Sequence, residues 1–256
     1  MKKVLVTGGT GTLGSEVVKQ LLFQQYHTSV LTSRQNPSLP QGCRICNGDL
    51  AKNTGLREAL QNADIVIHCA SNPKSPLETD VRGTRNLMDA IDKNKTHHFI
   101  YISIVGIDKS NYPYYKAKSV VEKIIEESGI PFTILRTTQF HNLVLSLIQS
   151  FENNDGTILV PSGLRFQSID VSEVAGYLVA IAKEKPGGLL PDRGGPEILT
   201  IEEMTKDYLD FLGRQDALHI KPLESERFDL FRSGINLCPY NKSGKITWKE
   251  FLLKQL

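Results

Sequence analysis

The sequence predicts an α/β protein, a doubly wound parallel sheet with a smaller, mostly helical C-terminal lobe. Two observations carry that prediction. Apolar strand runs alternate with helical periodicity through the first 136 residues, and the pattern turns mainly helical afterwards. The length of 256 residues and an apolar content of 40% suit one large or two unequal domains with a proper core. Division falls at about residues 136 to 150, giving a first domain over 1–150 and an intertwined lobe over 151–256.

Lys3-Val4-Leu5-Val6-Thr7 reads as a short buried strand, and glycines follow it. Leu13, Val17, Val18, Leu21 and Leu22 then recur at helical spacing and form one apolar face. Further strands are expected at Ser29-Val30-Leu31-Thr32, Arg44 to Asn47, Asp64 to Cys69, His98 to Ser103 and Phe132 to Arg136. Helices are expected from about Leu77 to Asp92 and from about Tyr114 to Glu127, the latter stopped by Ser128-Gly129. Strand and helix in this order require a parallel sheet covered on both faces. Lys185-Pro186-Gly187-Gly188 and Arg193-Gly194-Gly195-Pro196 read as turns.

Lys and Arg number 30 against 28 Asp and Glu, a formal charge of +2. That near-balance argues against a nucleic-acid binder, which carries a basic excess or stripe. No secretory signal is read in the first residues, and the apolar run Leu143 to Ile148 is too short to span a bilayer. A soluble cytoplasmic protein is expected, with reduced thiols and neither a nucleic-acid nor a membrane partner. Cys43-Arg44-Ile45-Cys46 has CxxC spacing but leads into a strand and lacks a second ligand pair, so no metal is expected. Pro239 to Glu250 has the outline of a calcium loop, with Gly244 and Glu250 in place. Pro239, Asn241 and Ser243 stand where calcium wants carboxylates, so Trp248, Phe251 and Leu252 are expected instead to dock a terminal helix. Glu122-Lys123 and Glu126-Glu127 read as a solvated helix face.

Thr7-Gly8-Gly9-Thr10-Gly11-Thr12-Leu13-Gly14 lies between the first strand and first helix, and fits both GxGxxG and GxxGxxG. Such a turn brings bare backbone and a helix N-terminus against a pyrophosphate, the arrangement of a Rossmann-type dinucleotide site. Gly8, Thr10, Gly11, Thr12, Leu13 and Gly14 are the candidate phosphate-binding positions. A P-loop has the same outer spacing, but Ser15 stands where its lysine belongs. The second strand ends in Thr32-Ser33-Arg34 with no carboxylate for the adenosine ribose. Ser33 and Arg34 suit a 2′-phosphate, so the expected cofactor is NADP, with NADPH preferred over NADH.

Two YxxxK patterns overlap in Tyr112-Pro113-Tyr114-Tyr115-Lys116-Ala117-Lys118. The residue before a proline is pushed out of the helical region, and proline suits the first helical position. Tyr114 and Lys118 therefore share one helix face and form the candidate pair, with Tyr114 as acid/base and Lys118 favouring its phenolate and holding the nicotinamide ribose.

These residues, with Gly48-Asp49-Leu50, Asp80-Val81-Arg82-Gly83-Thr84-Arg85-Asn86-Leu87 and Glu122, resemble the short-chain dehydrogenase/reductase superfamily, especially its atypical NmrA-like and epimerase-like branches. Ser168-Ile169-Asp170-Val171, Val174-Ala175 and Gly195-Pro196-Glu197-Ile198-Leu199-Thr200 extend the resemblance over most of the chain. It implies adenine contacts from Asp49 and Leu50 and a cofactor-flanking turn at Ala70-Ser71-Asn72. It also implies a nicotinamide- and substrate-flanking stretch at Thr137, Thr138, Gln139 and Phe140. His141 reads either as a further substrate-cleft residue or as a packed or solvated histidine.

Two positions depart from the family pattern. The hydroxyl after the fifth strand reads Ser103-Ile104, so Ser103 is the candidate but Ile104 takes the usual catalytic place. Asp80 stands where epimerase-like members carry asparagine. The expected function is NADP-dependent reduction of a small carbonyl or quinone-like substrate. An NmrA-like NADP(H) sensor acting through a protein partner and a sugar-nucleotide epimerase are the alternatives.

Overall fold

The computed structural model describes residues 2–214 and 217–255. Two compact units alternate along the chain: residues 1–103, 113–136 and 172–191 form the first, and residues 104–112, 137–171 and 192–256 the second. The sequence-predicted division near 136–150 is thus one of several crossings.

The first unit is built on a seven-stranded parallel sheet. Its strands are β1 (Lys3–Thr7), β2 (His27–Thr32), β3 (Arg44–Asn47), β4 (Ile65–His68), β5 (His98–Ile104), β6 (Phe132–Thr137) and β9 (Gly188–Leu189). They lie in the order β3-β2-β1-β4-β5-β6-β9. β1 pairs with β2 on one side and β4 on the other, so the chain order reverses at β1. Crevices at such switch points, beyond the carboxyl ends of the strands, are where open α/β sheets bind ligands.

Both faces of the sheet are apolar because successive side chains point to opposite faces and the central strands are buried almost without a break. Leu5, Val66, Phe99, Tyr101 and Ile134 join a core with Leu56 and Leu60 of helix α2 (Leu56–Leu60), Leu87 and Met88 of α3 (Gly83–Ala90), and Val121 and Ile125 of α4 (Pro113–Glu127). Helix α1 (Thr12–Phe23) buries Leu13, Val17, Val18 and Leu21, the face that its sequence spacing predicts. A π-helical turn over Leu77–Arg82 runs directly into α3.

Two sequence expectations change here. Lys185 to Gly188 reads as a turn, yet Gly188 and Leu189 add a parallel edge strand beside Thr133 and Ile134. Glu122 was expected on a solvated face; it is buried and bound by Arg136 through two hydrogen bonds, 2.9 and 2.6 Å.

The second unit carries α5 (His141–Gln149), α7 (Ile201–Phe211), α8 (Glu226–Ser233) and α9 (Trp248–Leu253). Helix α6 (Val171–Ile181) starts there and continues in the first unit. Two small sheets, absent from the sequence reading, complete it. β7 (Ile158–Pro161) runs parallel to β11 (Leu218–Lys221), and β8 (Arg165–Phe166) runs antiparallel to β10 (Leu199–Thr200). The two-residue strands β8 and β10 carry too short a pattern to be read from sequence.

Trp248 is fully buried and donates its indole N–H to the carbonyl of Met204, docking α9 onto α7 as the apolar spacing predicts. Glu250 closes a capping box with Thr247 at the start of α9: its carboxylate accepts the Thr247 N–H, and the Thr247 hydroxyl oxygen accepts the Glu250 N–H. Among the described residues, all four cysteines are free thiols.

Candidate functional site

The glycine turn links the carboxyl end of β1 to α1. Gly8 has φ +69°, a conformation that favours glycine, and a Cβ there would stand 2.6 Å from the Ala70 nitrogen. The turn after β1 thus lies directly against the turn after β4. A Cβ on Gly14 would stand 2.2 Å from the Gly8 carbonyl oxygen, so this glycine lets the helix approach the loop.

Gly11 differs: it is exposed, and a Cβ there would meet only the Gly8 oxygen, at 3.3 Å. It is the N-cap of a twelve-residue helix that has no side-chain cap and no acidic residue in its first turn. The first-turn N–H groups and the positive end of the helix dipole therefore face outward without a protein anion, which fits a bound pyrophosphate.

At the end of β2, Thr32 is buried and its hydroxyl accepts the Arg34 N–H. Ser33 and Arg34 are exposed, and Arg34 joins no ion pair among the described residues. Asp49 turns its carboxylate onto the N–H groups of Ala51 and Lys52, at 2.9 and 3.1 Å, shaping its own turn. Leu50 is buried, and Asn86 donates its side-chain N–H to the Leu50 carbonyl.

Ala70-Ser71-Asn72 leads away from β4. Ser71 donates to Asp80 Oδ1 at 2.5 Å, and the Asn72 N–H donates to Oδ2 at 2.9 Å. Tyr114 Oη lies 2.8 Å from Ser71 Oγ. Asp80 itself is buried within the π-helical turn, which widens the helix there. The only sequence signal for it was the departure from asparagine.

Helix α4 begins at Pro113, so Tyr114 lies in its first turn and Lys118 one turn on. Lys116 is exposed, whereas Lys118 is only 3% exposed. The Lys118 ammonium donates to the Ile102 carbonyl at 3.0 Å and sits 4.3 Å from the centre of the Tyr101 ring. Burial pulls its pKa down to about 8, opposed by the nearby carboxylates of Asp80 and Glu122 and by Cys69. Burial likewise pushes the Tyr101 phenol well up, reinforced by Asp80, Tyr114 and Glu122.

His68, a strand residue with no motif around it to mark it in the sequence, ties the floor of the site together. Its Nδ1 is 2.6 Å from Thr7 Oγ1 and its Nε2 3.0 Å from Thr84 Oγ1, linking β1, β4 and α3. The ring stacks on Tyr101, and burial lowers its pKa to about 3 with help from the Lys118 charge.

Ser103 is buried with its hydroxyl unpartnered among the described residues, and Ile104 follows it. The other four candidates lie in the second unit. Thr138 Oγ1 donates to the Gln167 carbonyl at 2.5 Å, and Gln139 accepts from the Asn236 side chain at 3.0 Å. Phe140 is half-buried. His141 is fully buried, bonded through Nδ1 to Ser168 Oγ and through Nε2 to the Ile246 carbonyl, and stacked on Phe251. Thr138 Oγ1, Gln139 Oε1 and both ring nitrogens of His141 are thus bonded inside this unit.

A parallel sheet with its order reversed at β1, a glycine turn at that point and an uncapped helix N-terminus define a dinucleotide-binding protein of the Rossmann class. Residues 8–185 match the NAD(P)H-binding family, and the chain belongs to it. Photosystem II assembly factor Ycf39 of Cyanophora paradoxa is 32% identical over 145 residues, 54% of this chain and 45% of that protein. The chain spans about half the length of the curated relatives it matches.

Solved structures of the NAD(P)-dependent epimerase/reductase, or atypical short-chain dehydrogenase/reductase, superfamily share the fold. A nucleoside-diphosphate-sugar epimerase of Staphylococcus aureus superposes with a TM-score of 0.80 at 17% identity, over 98% of this chain and 99% of that one. The NADPH-dependent quinone oxidoreductase of Escherichia coli gives 0.78 at 18%, covering 98% of this chain and 99% of that one.

Proposed function

We propose that this chain is an NADP(H)-dependent reductase of a small carbonyl or quinone-like substrate. The observation that carries the reading is Tyr114, half-buried in the first turn of α4 beside Ser71, with the ammonium of Lys118 buried one turn further on. When bound, the dinucleotide supplies the hydride.

The N–H groups around Gly11 and the first turn of α1 would hold its pyrophosphate, and Ser33 and Arg34 the 2′-phosphate. The backbone of Asp49 and Leu50 and the turn at Ala70-Ser71 would flank the rest of the dinucleotide. Tyr114 gives its phenolic proton to the substrate oxygen, and the Lys118 charge stabilises the phenolate left behind. Thr138, Gln139 and His141 act as buried supports in this reading, with the half-buried Phe140 as the most accessible member of the predicted substrate stretch.

A second reading, a cofactor-sensing protein that acts through a protein partner, is favoured by Ile104 in place of a catalytic hydroxyl and by a relative described as an assembly factor. Consumption of NADPH over a panel of carbonyl compounds and quinones, by wild type and Tyr114→Phe, decides between them. Turnover that falls at least about a hundredfold in Tyr114→Phe is expected. Cofactor binding with no turnover on any compound selects the sensor, and turnover indifferent to Tyr114→Phe removes Tyr114 as the acid.

A further inference from the structure

We propose that Asp80, acting through Ser71, holds Tyr114 as a proton donor, so that a carboxylate-backed serine from the turn after β4 occupies the role left open by Ile104. The proposal rests on the reading of Tyr114 as the acid of a reduction. Asp80 and Ser71 are positioning residues in it.

The argument is a count of hydrogens. Ser71 has a single hydroxyl hydrogen, and it is given to Asp80 Oδ1 at 2.5 Å. A carboxylate accepts only. The 2.8 Å contact between Ser71 and Tyr114 must therefore be donated by the phenol, which fixes the chain as Tyr114 to Ser71 to Asp80. The Asn72 N–H on Oδ2 stops the carboxylate from rotating. A phenolate at Tyr114 would lose its bond to Ser71 and face the Asp80 charge, so the arrangement favours the neutral, proton-giving phenol.

The other groups around this centre come from every neighbouring element. Lys118 on the same helix favours the phenolate, while Glu122 on that helix is held by Arg136 of β6. Tyr101 of β5 and Cys69 after β4 are kept protonated by burial, Cys69 being pushed up to about 12, and His68 stays neutral. Lys118 and Asp80 thus carry opposing charges beside Tyr114.

Asp80→Asn tests this with little change of shape. The amide cannot accept both the Ser71 hydroxyl and the Asn72 N–H, and the freed Ser71 hydrogen can turn to the Tyr114 oxygen. The Tyr114 titration is read in the cofactor-free full chain from phenolate absorbance, each protein measured against its own Tyr114→Phe counterpart. The Tyr114 midpoint is expected to fall by about one pH unit, a tenfold change in acidity, in Asp80→Asn. It should fall by less in Ser71→Ala, an exposed position whose fold is not at risk, and hold at the wild-type value in Ser71→Thr. A midpoint unchanged or raised in both Asp80→Asn and Ser71→Ala overturns the proposal, whatever the turnover. A lowered midpoint without any turnover keeps the relay and removes only the reductase reading.

Discussion

Arg136 of β6 grips Glu122 of α4 by two parallel hydrogen bonds, Nε to Oε1 at 2.9 Å and Nη2 to Oε2 at 2.6 Å, with both side chains nearly out of solvent. This forked pair pins the helix that carries Tyr114 and Lys118 to the sheet. Removing one partner leaves a buried charge unmatched. Arg136→Ala is expected to lower stability by about 3–5 kcal/mol, measured by chemical denaturation, while Arg136→Met with Glu122→Leu should recover most of the loss. A loss below about 1 kcal/mol for Arg136→Ala would mean that the pair behaves like a surface ion pair.

Lys118 should give the protein a pH signature. Its folded pKa of about 8 lies below the ordinary 10.5, so the unfolded chain binds more protons between those values. Its contribution to stability is full above pH 10.5 and is lost as pH falls toward 8. Tyr101 and Cys69 act in the opposite sense, so the test is the difference between wild type and Lys118→Met. Unfolding free energies from pH 7.5 to 10.5 should rise in wild type relative to the variant by about 2–3 kcal/mol. A flat difference would show that the ammonium is well solvated. At pH 7 the variant should be the more stable protein, having shed a buried charge.

The glycines of the turn should separate folding from binding. Gly14→Ala forces a Cβ to 2.2 Å from backbone oxygen, and a destabilisation of at least about 1–3 kcal/mol is expected. Gly11→Ala has extended backbone and meets only the Gly8 oxygen, at 3.3 Å, so its melting temperature should fall much less than that of Gly14→Ala. Its NADPH affinity should fall about tenfold, or ~1.4 kcal/mol, as the methyl group crowds the phosphate. Calorimetric titration of both variants reads the distinction, and full NADPH affinity in Gly11→Ala would move the pyrophosphate elsewhere.

Arg34 is exposed and joins no ion pair among the described residues, so its removal should leave the fold unaffected. Arg34→Ala is expected to weaken NADPH binding about tenfold and leave NADH binding unchanged, because only the 2′-phosphate needs the guanidinium. Equal affinities of wild type and variant for NADPH would take Arg34 out of the site.

Much of this was legible in the sequence because its causes are local. Strand runs, the apolar face of α1, the glycine turn and the start of α4 at Pro113 follow from periodicity, backbone freedom and the restriction before proline. Tertiary structure decided what depends on partners distant in the chain. Glu122, one charge among several on a helix, became a buried group because Arg136 from a strand fourteen residues on meets it. Asp80 and Ser71, nine residues apart, joined Tyr114 only because β4 and α4 bring them together. The ring of His141 is buried against Phe251, a contact between residues far apart in the chain that no local pattern encodes. A sequence pattern records which face of an element is apolar; whether a polar group on it is solvated, paired or poised depends on what the rest of the chain places against it.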